Sequence, residues 1–412
     1  MIAEPFLAMR QFLHDHRQAE QDFLAELVRM PSDNPPGDCA GHAERTATLL
    51  EALGFTVERH PVPAAEAAAH GMVSATNLVV RRHFGTGSVV ALNAHGDVVP
   101  PGEGWTADPY GAEIRDGWMI GRGVAVSKSD FATYAFALLG LDHAGVTLHG
   151  TVELHFTYDE ESGGEIGPAW LLRNGISRPD LALGAGFSYA VTEAHNGCLH
   201  LEVELTGRSA HAARPSAGID ALESATHVLG ELYAWRKTLA DRVSAIPGIG
   251  APQLTVGLIN GGINTNVVPD RVVLRMDRRI VPEESPAAVE AELRAVIEAA
   301  AAECPGVGLA IRRIMLAAPL LPDPAAAGFT ALLCGRASAV MGTPVVAAGV
   351  PLYTDARHYA AAGVPVVLYG AGPRSIEEAN AHRADERLKL DDLFKATEVV
   401  ALTLADYLAA PE

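Results

Sequence analysis

The sequence predicts an α/β protein: a mixed, mostly parallel sheet with helices on both faces, plus an inserted α+β domain of ferredoxin-like type. Three observations carry this. Amphipathic helices alternate with short apolar strands up to His95, and the pattern returns beyond about residue 316. Between them the order becomes strand–helix–strand–strand–helix–strand, a split βαβ unit. Finally, 412 residues exceed what one ordinary core organises. The expected domains are 1–196 with 316–412, and 197–315 inserted.

The first helix to justify runs from about Ala19 to Met30, with Phe23, Leu24, Leu27 and Val28 on one face. The loop "PSDNPPGD" stops it. A second helix runs to Leu53, where Gly54 supplies a left-handed residue, and "FTVERHPV" reads as a strand. Val89-Val90-Ala91-Leu92 is an apolar run ending in His95-Gly96-Asp97. "FATYAFALLGLDHAG" reads as a buried helix. Val152, Leu154 and Phe156 then alternate along a strand that ends in Asp159-Glu160-Glu161.

In the inserted domain, Leu201, Val203 and Leu205 alternate along a strand, and Leu222, Ala225, Leu229 and Leu232 line a helix. Two strands flank the turn at Gly261-Gly262. Ser285 reads as the N-cap and Pro286 as the first residue of a helix striped by Val289, Leu293, Val296 and Ile297. The C-terminal third returns to apolar strands, with His382 in the loop after "VPVVLYG", and closes on the helix "FKATEVVALTLADYL".

Composition narrows the partners. A net charge of −19 argues against a nucleic-acid groove or an anionic membrane. No apolar run approaches a membrane span, and the N-terminal stretch lacks a basic region followed by an apolar block, so no signal peptide is expected. Cys39, Cys198, Cys304 and Cys334 are scattered without a CxxC pair, which fits a reducing cytoplasm rather than a disulfide framework.

Two stretches carry chemistry. A histidine and an aspartate two residues apart at a strand end can act together: the imidazole ligates a metal while the carboxylate takes its other N–H. Consecutive carboxylates at the carboxyl end of a strand sit where α/β sheets bind ligands. Each also has a plain reading, a surface histidine beside a turn or a solvated acidic turn.

Taken in order, "PSDNPPGD", "AHGDVVPPGEGW…DPYGAEIRDGWMIGRG", "YDEESGG", "GRSAHAARPSAGIDA", "GGINTNVVPD", "DRRIVP" and "TDARHYAAAGVPVVLYGAG" resemble the two-domain metal-dependent amidohydrolases that include aminoacylase, acetylornithine deacetylase, succinyl-diaminopimelate desuccinylase and glutamate carboxypeptidase. The resemblance covers nearly the whole chain. It implies a hydrolase of amide C–N bonds in small N-acyl amino acids, dipeptides or related carboxylate-bearing substrates. The inserted domain then becomes a lid whose rotation gates turnover, and which joins a homodimer.

The resemblance implies His95, Glu161 and His382 as metal ligands, Asp97 as the partner behind His95, and Glu160 as general base. It makes His211 the group that steadies the oxyanion, and Asn266, Arg278 and Arg357 substrate contacts. Strand alternation turns only one of Arg278 and Arg279 inward. The arginines suit a carboxylate, which a guanidinium grips with two hydrogen bonds.

The pattern breaks at two positions. Val126 stands where the family places an aspartate bridging two metals, and Ala185 where it places another carboxylate. Three outcomes stay open. One ion per chain, zinc with manganese or cobalt as alternatives, is held by His95, Glu161 and His382. Or Asp130 or His195 replaces the lost ligands. Or no metal binds, leaving a ligand-binding or regulatory protein, or a serine–lysine dyad from Ser127-Lys128-Ser129. An unusual non-peptide amine as substrate also fits.

Overall fold

The structure, a computed structural model, describes residues 6–409. The first five residues of the stretch read for a signal sequence lie outside that range. Two compact units divide the chain: residues 1–193, 322–348 and 354–412 form one, and 194–321 with 349–353 the other. The second unit therefore reaches a few residues beyond the expected 197–315 at both ends. It also takes in a short later segment that the sequence assigned to the first.

The large sheet has 8 strands in the order Val57–Pro61, Thr76–His83, Thr151–Thr157, Val89–His95, Leu181–Gly184, Val366–Leu368, Val191–His195 and Ala347–Val350. Its centre is parallel, from Thr151–Thr157 through Val89–His95 and Leu181–Gly184 to Val366–Leu368. Antiparallel strands flank that centre. The central strands are buried nearly along their whole length; Val89–His95 and Leu181–Gly184 begin as apolar runs, while Thr151–Thr157 alternates apolar with polar residues that are buried as well.

Register positions the site. His95 pairs with Thr157, Asn93 with Gly184 and Leu368 with Gly184, so several strands end at one edge of the sheet. Asp159 and Ala185 follow immediately beyond those ends. The helix Lys128–Leu141 is buried almost throughout, and Leu390–Ala409 and Arg17–Arg29 pack against it. Among the described residues no helix is long and apolar enough to cross a membrane.

The second unit has a 4-stranded antiparallel sheet in the order Leu254–Gly261, Arg271–Ile280, Gly197–Thr206 and Gly308–Ala317. This is the ferredoxin-like order expected of the split βαβ unit. Its two helices, Ala221–Arg236 and Pro286–Ala302, bury Leu232, Val228, Leu293 and Ile297 with Leu201, Val203 and Leu274 of the sheet. Asp220 caps the first helix, accepting from the N–H groups of Leu222 and Glu223 at 2.8 and 3.1 Å. Ser285 and Pro286 stand at N-cap and first position of the second, as read from the sequence.

Candidate metal centre and active site

His95 ends its strand nearly buried, and its Nδ1 is the committed nitrogen. Nδ1 lies 2.9 Å from the Asp97 carbonyl and 3.3 Å from Asp97 Oδ1. Both acceptors favour the proton on Nδ1, which leaves Nε2 with its lone pair toward a metal. Asp97 is fully buried and accepts from Asn34 Nδ2 at 2.9 Å and from the N–H groups of Glu160 and Glu161 at 3.2 and 3.1 Å. One carboxylate thus orients the histidine and also fixes the acidic turn. In the metal-free protein burial opposes charge on His95, but the Asp97 hydrogen bond and the charges of Glu160, Asp97 and Glu161 outweigh it and raise its pKa.

The turn itself is a short 3-10 segment, Glu160–Ser162, followed by two glycines with positive φ, Gly163 and Gly164. Ligand atoms of His95, Glu160 and Glu161 all lie within 4.8 Å of one another. His95 Nε2 is 4.0 Å from Glu160 Oε2. On the other side, His382 Nε2 is 3.4 Å from Glu161 Oε1, on a residue with φ +61°, which only a constrained loop keeps in a non-glycine residue. The Glu161 hydrogen bond, with that residue's charge, raises the His382 pKa despite burial. Burial, with Glu161 and Asp97 nearby, pushes Glu160 up to about 7 even though His95 pulls it down.

This donor set fits a divalent ion. One imidazole and two carboxylates, His95, Glu160 and Glu161, come together, while His382 lies outside that group and reaches it only through Glu161; zinc or a similar ion accepts such donors with an open position. Such an ion would relieve the crowding of negative charge that keeps Glu160 late to ionise.

The loop where the family pattern breaks is built for rigidity. Arg122 and Glu386 form a buried pair at 2.6 Å, and Glu386 Oε1 accepts from the N–H groups of Ala125 and Val126 at 3.0 and 3.2 Å. The side chains of Val126 and Ala185 pack against the apolar core and bring no donor atom. Ser127 Oγ donates to the His95 carbonyl at 3.1 Å and accepts from the His95 N–H at 3.2 Å, so it locks the strand end. Lys128 Nζ reaches the Leu27 and Met30 carbonyls at 3.1 and 3.0 Å, capping the end of the helix Arg17–Arg29. A Ser127–Lys128 dyad is therefore absent: the two side chains serve different partners.

Asp130 is fully occupied as well. Its Oδ1 accepts from the Ala371 N–H at 2.6 Å and a second backbone bond comes from Gly186, while Gly370 leaves room that any Cβ would close. Burial raises its pKa to about 7. It ties two loops together and is not grouped with His95. His195 lies buried in the second unit, its Nδ1 2.9 Å from the Asn196 carbonyl, and is not grouped with the metal ligands either.

The expected substrate contacts need two corrections. Arg278 turns into the core of its own unit, bonded to Glu284 at 2.6 Å and to the Arg279 carbonyl, so it has no face to offer a substrate. Strand alternation sends Arg279 outward instead, 3.1 Å from Asp277 and over the Tyr353 ring. Arg357 is nearly buried with Nη2 on the Gly163 carbonyl, so it braces the acidic turn rather than reaching out. Asn266 and His211 are exposed in the second unit. His211 Nδ1 accepts from the Ala213 N–H at 3.0 Å, which puts its proton on Nε2.

Sequence reasoning missed Glu386 and Asp355. Glu386 sits in the charged string "HRADERL", which resembles a solvated turn, and only its pairing with Arg122 reveals it. Asp355 begins the helix Ala356–Ala361 within "TDARHY" and looks like an ordinary cap.

A family description, peptidase family M20/M25/M40, matches residues 91–406. A succinyl-diaminopimelate desuccinylase from Rhizorhabdus wittichii is 30% identical over 403 residues, covering 95% of this chain and 98% of that protein. An acetylornithine deacetylase from Proteus mirabilis is 33% identical over 242 residues, 57% of this chain and 59% of its own. Among solved structures, an M20 family metallo-carboxypeptidase from Sulfolobus solfataricus superposes with TM-score 0.78 at 18% identity, covering 95% of this chain and 99% of its own. Human carnosine dipeptidase 1 gives 0.75 at 16%, covering 99% and 100%.

Proposed function

This chain belongs to the peptidase family M20/M25/M40 and is a hydrolase of C–N bonds, and from that premise we propose that it cleaves an amide in a small N-acyl amino acid or dipeptide at a single-metal site. The observation that carries the proposal is the grouping of His95, Glu160 and Glu161 within 4.8 Å, with Asp97 behind them. A bound divalent ion would supply an acidified water and polarise the substrate carbonyl. Glu160 takes the proton from the attacking water and delivers it to the leaving nitrogen. Asp97 keeps His95 in the right tautomer. His211 carries its proton on Nε2, which suits a donor to an oxyanion. Arg279 takes the carboxylate-binding role in place of Arg278.

Val126 and Ala185 support one ion over two, because the donors lost are those that would hold a second. They also favour a second reading, a cleft that binds its ligand without turnover. Metal analysis with activity on acyl-amino acids separates the two. About one ion per chain, lost together with activity in Glu161→Gln, supports the hydrolase. Hydrolysis by rigorously metal-free protein would sink the metal mechanism. Four unbridged thiols support a reducing cytoplasm as the compartment.

A further inference from the structure

We propose that Asp355 is an additional metal-facing carboxylate of this site, standing in for the oxygen donors lost at Val126 and Ala185; the inference rests on the metallohydrolase reading above. Asp355 is only 6% exposed, yet its Oδ2 has no hydrogen-bond partner. Buried carboxylates in folded proteins are almost always supplied with donors, because leaving a buried charge or acceptor unsatisfied is costly. The neighbouring acids keep to that rule with at least one donor each, although Asp159 Oδ1, like Asp355 Oδ2, has no partner. Asp97 accepts three N–H groups besides facing His95, and Asp159 Oδ2 accepts the Ile166 N–H at 2.7 Å. Asp355 breaks it.

Its position gives the exception a purpose. A Cβ placed on Gly164 would lie 2.1 Å from Asp355 Oδ1, so the carboxylate rests on the turn that carries Glu160 and Glu161. Gly164 has φ +71° and no side chain, which lets the carboxylate lie that close. Arg357 and His358, the residues that follow on the same helix, both engage the Gly163 carbonyl and so hold that helix end against the turn. The charges acting most on Asp355 after burial are those of Glu160, Asp159 and His95. A carboxylate without donors, set beside other carboxylates and a histidine ligand, is arranged for a cation. Asp130, the nearer substitute in sequence, has its oxygens taken by backbone N–H groups.

The test is calorimetric titration of chelator-stripped protein with Zn²⁺ and with Mn²⁺, for wild type, Asp355→Asn and Glu161→Gln. Asp355→Asn keeps the shape, and burial with Glu160 and Asp159 nearby already holds the apo carboxyl toward its neutral form, so its apo melting temperature is expected not to fall. Its ion affinity is expected to drop at least about tenfold, with the Glu161→Gln loss larger. Unchanged affinity in a folded Asp355→Asn overturns the inference while leaving the metallohydrolase reading in place. If wild type binds neither ion, that reading falls and this one with it. Should the asparagine variant not fold, Asp355→Ser carries the same comparison with the same two outcomes.

Discussion

A carboxylate held among other carboxylates and away from water ionises late, and Glu160 is such a group. Without a cation, burial pushes its pKa up to about 7, and a bound ion would favour the ionised form that a general base needs. Glu160→Gln should lower kcat by about 10²–10⁴-fold even with the metal supplied at saturation, checked by steady-state kinetics beside metal analysis. Protons and a cation compete for this cluster. Metal affinity should therefore weaken as pH falls through about 7, because the raised pKa means the carboxylate is already taking up protons there. Titrations between pH 6 and 8 test this, and a flat profile would remove Glu160 from the cluster that the ion senses.

Two loops and a helix layer decide how the site differs from the family pattern. Val126 follows a loop pinned by Glu386 and Arg122, and Ala185 follows the strand Leu181–Gly184, its N–H on the Asn93 carbonyl at 2.8 Å. Both backbones are anchored, so restoring side chains should restore donors without rebuilding loops. The double substitution Val126→Asp with Ala185→Glu should raise metal content from about one ion per chain to about two. Plasma emission spectrometry reads it directly, and an unchanged count would mean the loops, not the missing side chains, exclude the second ion.

In the helix layer, Glu20 is fully buried on Arg17–Arg29 and bonded by Thr397 of Leu390–Ala409. Burial raises its pKa to about 8, against which Thr397 and Arg17 pull down. A raised folded-state pKa means its contribution is fully present below pH 4.5 and is lost as pH rises through about 8. Glu20→Gln should thus gain stability over wild type as pH climbs across that window, by about 5 kcal/mol at most, measured as melting curves at several pH values.

At the scale of the molecule, periodicity carried the architecture. Alternation of Leu201, Val203 and Leu205, and the stripe of Val289, Leu293 and Ile297, follow directly from burial on one face, and both are buried as read. His95, Asp97, Glu160 and Glu161 were legible because strand ends in register bring them to one edge. What stayed hidden depends on contacts made across hundreds of residues. Arg278 and Arg279 differ only in which face of a strand they occupy, and Asp355 and Glu386 gain meaning only from Gly164 and Arg122.

The outer strand Leu254–Gly261 of the second unit exposes Leu258 at 59% and Ile259 at 57%, an apolar edge that invites pairing with another chain. We propose a homodimer through this edge. Leu258→Lys with Ile259→Lys should shift light-scattering mass from dimer toward monomer. A monomeric wild type would rule the dimer out.

The central claim is one catalytic ion held by His95, Glu161 and His382, and metal stoichiometry tests it most directly. Protein purified without chelator is expected to carry about one divalent ion per chain, falling toward zero in Glu161→Gln together with activity. Two ions per chain in the wild type, or full activity with none, would contradict it.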